Sequence, residues 1–262
     1  MLSLRRWWRL HVRRRDRIAD STWAELTAGV PVVARYGATD RAKLRDLTSR
    51  FLLKKDIRGV GGLEMTDPIR RLIAVLSCVP ILHLDLDWYA GWVSILVYPA
   101  DFLVRHEFVD EAGVVHDARR PLSGESWLRG PVILSWEHVA NDALDASGRN
   151  VVIHELAHKL DALNGVVNGM PPLHYGMDRA AWTAAFAHAF DDLQGRLTEG
   201  RSLPIDGYGA EAPGEFFAVA SETFFVKPAV LYDAYPEVYR QLCLFYRQDP
   251  AAVGLSRGIS RW

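Results

Sequence analysis

The sequence predicts an α+β fold, and three observations carry that expectation. Apolar residues recur at helical spacing over residues 19–78, short apolar runs bounded by turn residues fill 79–136, and two chemically unusual helices follow within 148–226. The predicted architecture is a helical amino-terminal layer, a small mixed sheet, a helix carrying His-Glu-x-x-His, a glutamate-bearing helix, and closing helices over 227–262. Residues 19–262 read as one domain, preceded by a basic arm over 1–18. With 262 residues, 49% of them hydrophobic, the chain can bury a large core without covalent staples. A net charge of −1 points to no nucleic-acid partner. No apolar run is long enough to span a bilayer, and the first residues lack the apolar core of a secretory signal. Cys78 and Cys243 stand alone in apolar settings, which fits unpaired thiols in a reducing compartment.

In chain order, Arg5, Arg6, Arg9 and Arg13–Arg15 alternate with Trp7, Trp8 and Leu10, as in a solvated extension or an arm for anionic surfaces. Trp23, Leu26 and Val30, then Leu44, Leu47 and Phe51, mark helices that close at Lys54-Lys55. Residues 58–62 read as a turn-rich break, and Thr66-Asp67-Pro68 starts a further helix. Val79–Leu84 and Trp92–Pro99 read as strands, the second one central. Further strands are expected at Asp101–Val104 and Phe108–Val115, and the last at Gly130–Trp136. Its residues Leu134, Ser135 and Trp136 are the candidates for a sheet edge that pairs with an extended peptide.

The chemistry concentrates in Asn150–Asp161. His154 and His158 lie four residues apart, on one face of a helix, where two imidazoles can share one zinc ion at roughly 2.0–2.1 Å. Glu155 flanks them as a general base for an activated water. A catalytic zinc needs a third protein ligand. The extended motif with a third histidine is absent, because Asp161 and Asn164 stand at its glycine and histidine positions. The remaining candidates are Glu215 and Glu222, seven apart on a helix rich in phenylalanine; spacing does not choose between them. Carboxylates in such surroundings require a partner. Asp161, one turn beyond His158, suits either a ring N–H acceptor or a cap at the end of the helix. His83, His106, His116, His174 and His188 lack ligand spacing and read as structural or surface residues.

Gly130–Trp136, Asn150–Asp161 and Tyr208–Phe225 together resemble the Mlc titration factor A family of bacterial zinc peptidases. Similar matches occur at Ile95–Ala100, Ser123–Trp127 and Leu244–Pro250, so the resemblance spans the chain beyond about residue 20. Its catalytic half is similar to the zinc domain of anthrax lethal factor, in which a tyrosine precedes the ligand glutamate by seven residues. Tyr208 and Glu215 match that pair, leaving Glu222 as a carboxylate outside the ligand set.

The resemblance implies a zincin-like, gluzincin-type fold, one Zn2+ per chain on His154, His158 and Glu215, and a cytoplasmic aminopeptidase acting on short peptides. Glu155 would be the base and Tyr208 an oxyanion donor. In enterobacteria the family also binds the glucose-responsive repressor Mlc. A second expectation is therefore a regulatory protein that sequesters a repressor of that type.

Overall fold

The computed structural model describes residues 17–100, 102–109, 115–122, 124–126, 130–144 and 148–255, and within 102–126 only the backbone course of the strands. The arm over residues 1–16 lies outside the described residues. Three helices open the chain: α1 (Asp20–Ala28), α2 (Pro31–Ala34) and α3 (Ala38–Lys54). Pro31 stands in the first turn of α2, where its missing N–H is of no consequence. α3 buries Leu44, Leu47 and Phe51 and packs on α4 (Asp67–Cys78). The second half of α4, Ile73 to Cys78, is wholly buried.

A mixed sheet follows, built from β1 (Asp56–Gly59), β2 (Ser94–Tyr98), β5 (Gly124–Ser126) and β6 (Val132–Ser135), in the order β1-β2-β6-β5. β1, β2 and β6 are parallel, while β5 joins β6 antiparallel. β2 is central, as expected, and its Ile95 and Val97 are fully buried beside Val132 and Leu134 of β6. A separate hairpin pairs β3 (Phe102–Val109) with β4 (Val115–Leu122).

Four expectations change. The strands expected at Asp101–Val104 and Phe108–Val115 are instead β3 and β4, paired as a hairpin over Phe102–Val109 and Val115–Leu122. Val79–Leu84 is a run of turns, held by Leu84 N donating to Ile81 O at 3.0 Å. Its apolar side chains are all inside the core, and burial alone does not distinguish a strand from a buried turn. Residues 56–59 form β1, at the point where a break was expected, because β2 offers them a parallel ladder. β6 is no edge: Leu134 pairs with Val97 on one side and Gly124 on the other. Leu134 and Ser135 are buried, and Trp136 begins α5 (Trp136–Leu144). Among the described residues the outer strand on this side is β5.

Beside β5 and β6 lies α6 (Val151–Asp161), the helix with the two histidines. Asn150 caps it, its side chain accepting from Ile153 N at 3.1 Å. Every residue of α6 except His154 is buried, so packing surrounds this helix on all sides. After a loop come α7 (Arg179–Thr198), α8 (Pro213–Val226), α9 (Pro228–Ala234), α10 (Pro236–Tyr246) and α11 (Pro250–Leu255). α8 crosses α6 and rests on an aromatic layer in which Trp182 stacks on Phe186 at 4.3 Å, with Phe216 and Phe217 against them. Tyr246 donates to Ser221 Oγ at 2.8 Å, which fixes the middle of α8 against α10.

The loop between α6 and α7 ties these helices together through Gly169. Its N–H donates to Asp161 Oδ2 at 2.7 Å, and its carbonyl accepts from Trp182 Nε1 at 3.0 Å. With φ at +78°, a Cβ there would be strained and would lie 2.5 Å from Pro213 O. Gly169→Ala should therefore cost about 1–3 kcal/mol, read as a fall in Tm of roughly 2–10 °C. An unchanged Tm would mean that the loop yields without moving α8.

Candidate metal centre and active site

α6 presents His154 and His158 toward the first turn of α8, where Glu215 sits two residues after Pro213. A carboxylate is favoured there by the unpaired N–H groups of the helix start. His154 Nε2 and His158 Nε2 are 3.1 Å apart, and each is 3.2 Å from Glu215 Oε2. This near-equilateral triangle is what a small cation requires. Tetrahedral zinc with bonds of roughly 2.0–2.1 Å separates its ligands by about 3.3–3.4 Å. Among the described residues these three are the one cluster of His, Cys, Asp or Glu with metal-binding geometry. The residues expected as ligands therefore fit a metal ion.

Glu222, on the next turns of α8, settles the tautomer. Its Oε1 lies 2.5 Å from His154 Nδ1, and its Oε2 accepts from Asn150 N at 2.7 Å. A carboxylate at Nδ1 keeps the proton there and leaves the Nε2 lone pair for a metal. Asp161 does not do the same for His158. It accepts from Gly169 N, which ties the following loop to the end of the helix, and among the described residues no hydrogen bond joins it to either histidine ring. Burial pushes its carboxyl up to about 6, against the pull of the loop N–H groups.

Taken by themselves, the protein groups behave as a cluster that must share positive charge. Burial would discharge His154, but Glu222 and Glu215 outweigh it and hold the ring well above its usual range. Burial would likewise raise Glu215, yet the bonds from His154 and His158 hold it down at about 2. A dication held by these residues would take the place of those protons, so metal uptake would release them.

Glu155 stands beside the triangle, 2% exposed, and among the described residues its Oε2 has no hydrogen-bond partner. Burial, reinforced by Glu215 and Glu222, lifts its carboxyl to about 8. Tyr208 lies on a short turn, Gly207–Ala210, with its N–H held by Asp206 Oδ1 at 3.0 Å. Its half-exposed ring is 5.9 Å from that of His154. Both line a pocket of about 210 Å3.

Residues missed from the sequence also shape this pocket. Asp142 of α5 accepts from Val151 N at 2.9 Å and forms part of the wall, as do Arg149 and Asp206. Asn150 could have been read as a cap from its place before an apolar run; nothing local to Asp142 marks it. Among the remaining histidines, His174 is structural, with Nε2 2.8 Å from Phe245 O. Of the two cysteines, Cys78 is buried and Cys243 partly so, and neither is paired.

Comparison with known proteins agrees with this geometry. The model of the family described as glucose-regulated metallo-peptidase M90 matches residues 4–247. Mlc titration factor A of Klebsiella pneumoniae is 39% identical over 243 residues, covering 92% of this chain and 91% of its own. The protein of the same name from Salmonella arizonae is 40% identical, with 89% and 93% covered. That from Yersinia pestis is 37% identical, with 92% and 87% covered. The chain therefore belongs to the Mlc titration factor A family of M90 metallopeptidases.

Proposed function

We propose that this protein is a zinc-dependent peptidase of the aminopeptidase type that cleaves short peptides in the cytoplasm. The observation that carries the reading is the triangle of His154 Nε2, His158 Nε2 and Glu215 Oε2 beside a buried carboxylate oxygen without a partner. Zinc held by these three residues supplies Lewis acidity, polarising a peptide carbonyl and acidifying water. The Glu155 carboxylate takes a proton from water as its oxygen adds to the carbonyl carbon, and returns it to the amine nitrogen as the C–N bond breaks. Glu222 keeps His154 in the binding tautomer. The Tyr208 hydroxyl, at the pocket rim, donates to the carbonyl oxygen as negative charge develops. β5, the outer strand beside α6, takes over the peptide-pairing role first expected of Leu134–Trp136. The unpaired Cys78 and Cys243 support a reducing compartment.

A second reading rests on the name of the relatives, which describes titration of Mlc. The chain would then capture a repressor of that type, with peptidase activity secondary. A pull-down with Glu155→Gln separates them, because capture should survive the loss of turnover.

Glu155→Gln should keep its zinc and lose roughly 10²–10⁴-fold in kcat; retained turnover in a peptidase assay would remove Glu155 as the base. Glu215→Ala should lose zinc by elemental analysis, as the wild type should after chelation. Full occupancy in that variant would transfer the ligand role elsewhere. Tyr208→Phe should lower kcat by roughly 10²–10³-fold at unchanged metal content, and an unaltered rate would dismiss it as a donor.

A further inference from the structure

The pocket in front of Glu155 is small and acidic. At about 210 Å3 it falls below the roughly 300–1,000 Å3 of sites that enclose drug-sized ligands, and suits the end of a peptide more than a continuous chain. His154, Glu155 and Tyr208 form one side; Asp142, Arg149 and Asp206 face them.

The carboxylates are not equally committed. Glu222 spends both oxygens on His154 and Asn150 N. Asp206 has Arg149 Nε at 3.9 Å from Oδ2 and the Tyr208 N–H on Oδ1. Asp142 uses Oδ2 on Val151 N, and among the described residues its Oδ1 accepts nothing. Burial and the nearby Glu222 raise Asp142, so a positive group brought into the pocket would relieve it. Glu155 lines the same space, while its Oε2 is buried and, among the described residues, without a hydrogen-bond partner. The second oxygen of Asp142, with spare lone pairs, in a pocket lined by four acidic residues and Arg149, asks for a ligand that is cationic and rich in N–H donors.

We infer that this pocket receives the ammonium group of the substrate, with Asp142 as its principal anchor. The inference deepens the peptidase reading and rests on it: an anchored α-ammonium places the first peptide bond next to Glu155, which makes the enzyme cut from the amino terminus. A lysine side chain presents the same chemistry, and the test distinguishes the two sources.

The experiment measures binding, not turnover, by calorimetry on the zinc-loaded full chain carrying Glu155→Gln. The probes are Ala-Ala-amide, its N-acetyl form, and N-acetyl-Lys-Ala-amide. Ala-Ala-amide should bind at least about tenfold tighter than its acetylated form, the order expected of one charge-assisted contact. Adding Asp142→Asn, which keeps an acceptor for Val151 N and removes the charge, should erase that preference at unchanged zinc content. Tight binding of the lysine probe alone would also support an ammonium site, with the side chain as its source. Equal binding of all three probes overturns the inference, as does a preference that survives Asp142→Asn. Should that variant fail to hold zinc, the comparison of the probes in the Glu155→Gln background still decides. Equal binding would leave the peptidase reading intact, whereas absence of zinc from the wild type would defeat that reading separately.

Discussion

Glu222 holds the site together by reaching from α8 across to the first turn of α6. One oxygen meets the His154 ring and the other the Asn150 N–H, so a single carboxylate fixes the helix start and the ligand ring at once. A buried carboxylate costs several kcal/mol unless its lone pairs are satisfied, and here both oxygens have strong donors. The angle at which α6 meets α8 is therefore set by hydrogen bonding as well as by the phenylalanine layer beneath. Glu215, two turns earlier on α8, inherits its position from that crossing. Removal of Glu222 would loosen the ring that Glu215 must meet.

The electrostatics explain why such an arrangement is tolerable. Three glutamates and two histidines converge in a region where little water reaches, and all but Glu215 are largely buried. Proton sharing eases the repulsion, which is why His154 binds protons tightly and Glu215 gives them up. A dication would neutralise the same set more completely and add directed bonds, so metal binding would support the fold. The loop through Gly169 adds a mechanical tie, joining Asp161 at the end of α6 to Trp182 of α7.

How much of this was legible in the sequence follows from how local each feature is. His154, Glu155 and His158 could be read because helical spacing and ligand chemistry lie within five residues. The glutamate helix could be read from Pro213 and the paired carboxylates, but not which oxygen meets which ring; that depends on the crossing of α6 and α8. Asp161 and Glu222 were both candidates for the outer contact, and only the fold gives it to Glu222. β1 was missed because Asp-Ile-Arg-Gly carries one apolar residue and becomes a strand only through pairing with β2. β6 was misplaced at an edge because its cover is β5, three residues with no strand signal of their own.

The amino-terminal end of α6 draws these threads together. A helix start leaves N–H groups in need of acceptors, and here they are met by Asn150, Asp142 and Glu222. Two of the three are carboxylates, which also suits the positive end of the helix dipole. Each then has a second oxygen to place. Glu222 directs its own at a ligand histidine, and Asp142 leaves its own on the pocket wall. The residues that meet the N–H groups of the helix start thus also hold His154 and line the cavity in front of it. Structural and functional roles share the same atoms, so a substitution here is informative only when it preserves the hydrogen bond and changes the charge.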